Sequence, residues 1–250
     1  MEFSEQMLIL QVGKFKEADL WIRFLSPTRG ILSGFAFGGS RSKRRFTGCL
    51  DTFNEVLLRV RSSRRGAYMA LQEGVLLRGP VRLRSDWARY GMANNCVKFL
   101  QSFGIGPDGA DKAHFVLREV LQLLEEAAIL PIQLPLFFRA RLAFDQGYAL
   151  DMSACALCGN SLTGRGALFP VEEGHFLCRD CAPHTRVAGR RAELGTEALD
   201  ILRAMRDTPP STWSEIPLTS KAGAECARAI EGFIQHHVGL VWENGYFSRV

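Results

Sequence analysis

The 250-residue chain lacks most of the features that would assign a function at once. No run approaches the ~18 apolar residues that a membrane-spanning helix needs. The N-terminus, Met1-Glu2-Phe3-Ser4-Glu5-Gln6, is acidic and has neither the basic start nor the long apolar core of an export signal. There is no P-loop, no His-Glu-x-x-His, no Gly-x-Ser-x-Gly and no paired carboxylates in a loop suited to acid–base work. A zinc deaminase would need its catalytic Glu in a His-x-Glu sequence, and none occurs. Together these absences predict a protein that spans no membrane and is not an enzyme. Internal repeats and low-complexity tracts are absent too. The cysteines number seven, an odd count that, without an export signal, predicts a reducing, cytoplasmic setting.

Four of those cysteines form the strongest motif. Cys155 and Cys158 make one Cys-x-x-Cys pair, Cys178 and Cys181 a second, and 19 residues separate them. That spacing matches a four-cysteine zinc site, in which tetrahedral Zn2+ takes four thiolates. Gly159 suits the left-handed residue such a turn needs. The intervening segment is long enough for a hairpin that returns the second pair to the first. Four thiolates leave no position for water, so the predicted metal, one Zn2+ per chain, is structural. His175 and His184 lie near enough in sequence to ligate but read as loop residues. Cys49, Cys96 and Cys226 sit among apolar neighbours and read as small buried side chains.

Charge is unevenly spread. The net charge is +5, yet residues 1–90 hold 16 Lys and Arg against 8 Asp and Glu, and the remainder holds 15 against 18. A basic front third points to a polyanionic partner. Residues 6–77 read as short strands and tight turns: Gln6–Gly13, Leu20–Leu25, Ile31–Phe37, Phe46–Asp51, Phe53–Val60 and Ala67–Leu77. Val56, Leu58 and Val60 alternate with Glu55, Leu57 and Arg59. Five or so strands in about 80 residues suit a small barrel, the OB-fold first among them. Two basic turns interrupt the strands, one with Arg41, Lys43, Arg44 and Arg45, the other with Arg61, Arg64 and Arg65. Both are candidate nucleic-acid contacts, with aromatic rings from the same region available to stack on bases.

From residue 85 the apolar period becomes helical. Ala93, Cys96, Val97, Leu100 and Phe103 share one face. Further helices are expected over Asp111–Ala128, near Pro135 through Phe144, after Thr196 as a cap, and after Thr219 as a cap. The fold class is therefore multi-domain α+β. An OB-fold barrel over 1–79 precedes an α-helical domain over 80–250, with a zinc module inserted at 152–185.

This order, together with particular segments, resembles the bacterial RecO family of recombination mediators, over nearly the whole chain. Ala18-Asp19-Leu20-Trp21-Ile22-Arg23-Phe24-Leu25-Ser26-Pro27-Thr28-Arg29-Gly30-Ile31-Leu32 looks like the family's early strand–turn–strand. Gly38-Gly39-Ser40-Arg41-Ser42 resembles its glycine–arginine loop, and Phe46-Thr47-Gly48-Cys49-Leu50 the segment after it. Phe138-Arg139-Ala140-Arg141-Leu142 through Gly147-Tyr148-Ala149-Leu150 looks like the helix leading into the first cysteine pair. The resemblance implies a non-catalytic protein that binds single- and double-stranded DNA and anneals complementary strands. It also implies loading of recombinase onto coated single strands, action with RecR, and contact with the acidic C-terminal tail of single-stranded-DNA-binding protein. Arg139 and Arg141 are candidate contacts for that tail by charge. A rival reading is a zinc-ribbon protein that binds RNA or acts in transcription. It would need a basic module, but residues 152–185 hold only Arg165 and Arg179 against Glu172, Glu173 and Asp180.

Overall fold

The computed structural model describes residues 2–63 and 68–250. The first part is a ring of strands: β1 (Glu2–Lys14), β2 (Leu20–Ser26), β3 (Gly30–Ala36), β4 (Glu55–Ser62) and β5 (Met69–Arg78). They pair in the order β1-β2-β3-β5-β4, and β4 returns to β1, so the barrel closes. Among the described residues all barrel pairings are antiparallel except β3–β5, which is parallel and joins Gly34 to Met69 and Phe35 to Ala70. Alternation decides which residues enter. Val56, Leu58 and Val60 point inward with Met7, Ile9, Ile22, Phe24 and Leu71, whereas Leu57, Arg59 and Arg61 stay outside. A bulge between Ile9 and Gln11 shifts the β1 register.

Phe46–Asp51 is not a strand, contrary to the sequence reading. It is a run of turns, with Gly48 at φ +65° and the Cys49 N–H bonded to the Phe46 carbonyl at 3.3 Å. Its apolar residues look strand-like because they are buried: Phe46, Cys49 and Leu50 join the barrel core. The Asn54 amide donates to the carbonyls of Gly48 and Cys49 and holds the run closed.

Three helices follow: α1 (Arg82–Ser85), α2 (Trp87–Phe103) and α3 (Ala110–Glu126). α3 lies against β1, β2 and β3. Gly30 explains one close approach. It is left-handed, φ +75°, and a Cβ there would lie 2.2 Å from the Ile105 carbonyl oxygen, which accepts the Ile31 N–H at 2.9 Å. Packing groups Met1–Ala93 with Gly104–Glu126 as one compact unit, wider than the strand-rich segment alone.

The second unit comprises Asn94–Phe103 and Ala127–Val250. It contains α4 (Leu134–Ala143), β6 (Ala167–Pro170), β7 (Leu177–Cys178), β8 (Arg191–Leu194), α5 (Thr196–Asp207), α6 (Ser220–Phe233), β9 (Leu240–Glu243) and β10 (Tyr246–Arg249). Pro135 sits in the first turn of α4, where its missing N–H costs nothing. Thr219 caps α6 as expected, its hydroxyl accepting the Ala222 N–H at 3.2 Å. Thr196 does not cap α5. Gly195 takes that position, extended, with its N–H bound to the Glu225 carboxylate at 2.7 Å, so the threonine becomes the first helical residue. No helix among the described residues is long and apolar enough to cross a membrane.

Candidate functional site: a four-cysteine cluster and a basic, ring-bearing barrel face

The segment between the two cysteine pairs folds as the expected hairpin. β6 and β7 pair antiparallel, Ala167 opposite Cys178 and Leu168 opposite Leu177, and β8 adds a third strand on the other side of β6. Gly159 is left-handed, φ +71°, and its N–H closes the first turn on the Cys155 carbonyl at 2.9 Å. The Sγ atoms of Cys155, Cys158, Cys178 and Cys181 all lie within 4.8 Å of one another. Cys158 and Cys178 are 3.8 Å apart. Zn–S bonds of about 2.3 Å at tetrahedral angles require sulfurs about 3.8 Å apart, so this donor set fits Zn2+.

Two of the four thiols depart from the ordinary range in opposite directions. Burial opposes a thiolate at Cys155, but the N–H groups of Cys158, Cys178 and Leu157 outweigh it and bring its pKa to about 6. Cys181 is pushed up to about 12 by hydrogen bonds with the Cys178 and Cys158 sulfurs. A dication bound by all four sulfurs would displace the protons they carry. The other three cysteines contrast with it. All are buried, and burial raises Cys49 to about 11 and Cys96 and Cys226 to about 12, which leaves them inert thiols. His175 faces the Glu173 carboxylate at 3.3 Å, and neither it nor His184 is part of the sulfur cluster.

The first basic turn follows β3. Gly39–Arg41 forms a single 3-10 turn, and Arg41, Lys43, Arg44 and Arg45 are all exposed. Asp19 fixes the entrance, its carboxylate accepting the Gly38 N–H at 2.7 Å. Arg45 fixes the exit, donating to the Phe37 carbonyl at 2.5 Å while lying over the Phe46 ring. Arg41 has one distant acidic neighbour, Glu17 at 3.8 Å, and both side chains are open to solvent. In the second basic turn, Arg61 is bound by Glu2 at 2.7 Å. Arg64 and Arg65 lie outside the described residues.

The sequence alone leaves open which rings reach the surface. Phe15, Phe37 and Tyr68 are exposed and gather around half-buried Phe35. Ring centroids lie 4.7 Å apart for Phe15–Phe35, 6.1 Å for Phe35–Phe37 and 5.9 Å for Phe37–Tyr68. Trp21 is the cross-strand partner of Phe35, with the Arg23 guanidinium over its indole. Lys16 lies over Phe15. The signal in the sequence was the i, i+2 spacing of Phe35, on β3, and Phe37, in the turn just after it.

In the second unit, Arg139 and Arg141 part company. Arg141 pairs with Asp145 at 2.9 Å and donates to the carbonyls of Met205 and Thr208, so it ties α4 to the end of α5. Arg139 lines a cavity of about 230 Å³ with Glu231, Leu240, Val241, Trp242 and Phe247, and lies over the Phe247 ring.

The described residues thus comprise a closed strand barrel that carries a basic turn, followed by a helical region that holds a four-cysteine hairpin. The family models described as "Recombination protein O N terminal" and "Recombination protein O C terminal" match residues 1–79 and 84–244. The "DNA repair protein RecO" of Oleidesulfovibrio alaskensis is 49% identical over 251 residues, covering all of both chains. That of Nitratidesulfovibrio vulgaris is 51% identical over 254 residues, again end to end, and that of Lawsonia intracellularis 35% over 253 residues. The chain belongs to the RecO family of DNA repair and recombination proteins.

Proposed function

We propose that this protein is a non-catalytic recombination mediator that binds single- and double-stranded DNA and anneals complementary strands. It acts in the bacterial cytoplasm at the nucleoid. The observation that carries this is an exposed Arg41-Ser42-Lys43-Arg44-Arg45 turn on an OB-type barrel within a basic third of the chain. Arginine and lysine there hold phosphates and release condensed counterions, which supplies affinity without sequence preference. Annealing breaks and forms no covalent bond. It needs two strands concentrated on one surface with their base edges free to pair.

The remaining parts are assigned by the same chemistry. Cys155, Cys158, Cys178 and Cys181 hold one structural Zn2+, which clamps the β6–β7 hairpin and supplies folding energy. Arg139, in a cavity it shares with Glu231, Trp242 and Phe247, is the candidate contact for the carboxylate end of an acidic peptide, such as the tail of single-stranded-DNA-binding protein. Arg141, Arg61, Arg64 and Arg65 are secondary candidates, the first two already engaged with carboxylates. Docking with RecR and loading of recombinase follow from the family.

Annealing of complementary oligonucleotides coated with single-stranded-DNA-binding protein, run without nucleotide, tests the reading. Complementary strands should anneal faster with the protein than without it. Replacing Arg41, Lys43, Arg44 and Arg45 with Ala should flatten the log–log dependence of affinity on salt by up to about 3 units, close to one for each phosphate no longer neutralised. An unchanged slope removes this turn from the binding surface.

A further inference from the structure

We infer that the outer ring cluster of Phe15, Phe35, Phe37 and Tyr68 is a base-stacking platform that makes the barrel prefer single-stranded DNA over duplex. This deepens the proposed DNA-binding role and rests on it.

The cluster lies outside the barrel's interior core. The interior is filled from the other side of the strands, by Ile22, Phe24, Ala36, Val56, Leu58 and others. Inward Ala36, the last residue of β3, separates Phe35 from Phe37 in the turn that follows, and the two rings stack outside the core with centroids 6.1 Å apart. Phe15 comes from the β1–β2 turn and Tyr68 from the entrance to β5. Three separate segments therefore deliver rings to one spot outside the core. Phe15 is 52%, Phe37 42% and Tyr68 45% exposed, a contiguous apolar surface of the kind that marks a binding site.

Charge identifies the occupant. Lys14 and Lys16 flank Phe15 in sequence, and Arg45 reaches the Phe37 carbonyl from the basic turn. The two nearby carboxylates, Glu17 and Asp19, are turned to Arg41 and to the Gly38 N–H respectively. Rings bordered by cations match a polyanion that carries flat apolar faces, which describes unpaired bases on a phosphate chain. In a duplex each base face is covered by its neighbours, and only phosphates and groove edges remain to bind. The cations serve both forms of DNA, whereas the rings serve only the strand whose bases are free.

The test compares binding of a fluorescent oligothymidylate and of a mixed-sequence duplex of equal length. Stacking is worth about 1–3 kcal/mol per base, so Phe37→Ala and Tyr68→Ala should each weaken single-strand binding by about tenfold. Duplex binding should stay within about twofold, and the salt slope should not change. Tyr68→Phe should retain wild-type affinity, because the ring face acts and the hydroxyl does not. With 5-iodouracil in the single strand, irradiation of the unaltered protein should cross-link Phe37 or Tyr68, a readout that needs no variant. Alanine variants that keep single-strand affinity, or that lose both forms equally, overturn the platform, as do cross-links elsewhere. In the first of these cases the rings would instead be a protein-docking surface. If the unaltered protein binds neither oligonucleotide in dilute buffer, it is the underlying DNA-binding role that fails.

Discussion

His114 is the residue whose surroundings make the sharpest demand. It is buried on α3, its Nε2 has no hydrogen-bond partner among the described residues, and burial together with Arg118 lowers its pKa from 6.5 to about 4, against a smaller opposing pull from Glu5. The unfolded chain therefore takes up this proton first as pH falls. Stability is intact above about pH 6.5 and declines progressively towards pH 4, by up to about 3 kcal/mol from this group. Denaturant titrations between pH 7 and 4.5 should show that slope, and His114→Gln should flatten it. Thr219 is a smaller case: Thr219→Ala should cost about 1 kcal/mol in the same titration, through loss of the α6 cap. The cap was readable from its type and place before an apolar period. The false reading at Thr196 shows the limit of such signals, because a long-range carboxylate, Glu225, settled which residue ends the strand and begins the helix.

Among the elements, the cysteine hairpin was the most legible. Two Cys-x-x-Cys turns and the glycines between them specify a local structure, and the sulfurs meet as the spacing required. The purified protein should carry about one zinc per chain. Cys155→Ser with Cys178→Ser should lower the melting temperature rather than remove a turnover, and a metal-free protein of full stability would refute the structural assignment. The stretch at 46–51 was less legible, since buried apolar residues satisfy a strand pattern equally well as a plug of turns. Likewise, the basic turn announced itself by composition, but nothing local revealed that Arg61 would face Glu2 from the far end of β1, since that pairing follows from strand register.

At the scale of the whole chain, the order of strands, helices and cysteine hairpin could be read, but the extent of the barrel unit could not. α3 covers the outward side of β1 to β3, where Leu8 and Leu25 are buried without belonging to the barrel interior. Such packing bridges distant sequence and leaves no periodic trace in the strands themselves. A fragment ending at residue 126 should therefore unfold cooperatively. One ending at 79 should expose that apolar face and aggregate, as light scattering would detect. The barrel also has a seam. Its ring is completed by the parallel union of β3 and β5, which among the described residues pairs Gly34 with Met69 and Phe35 with Ala70. That union is the stave most readily sprung. Amides that bond across the β3–β5 union should trade deuterium earlier than those bonded between β4 and β5, and a nucleotide strand lying across Phe35 and Tyr68 would act as a hoop, slowing that trade.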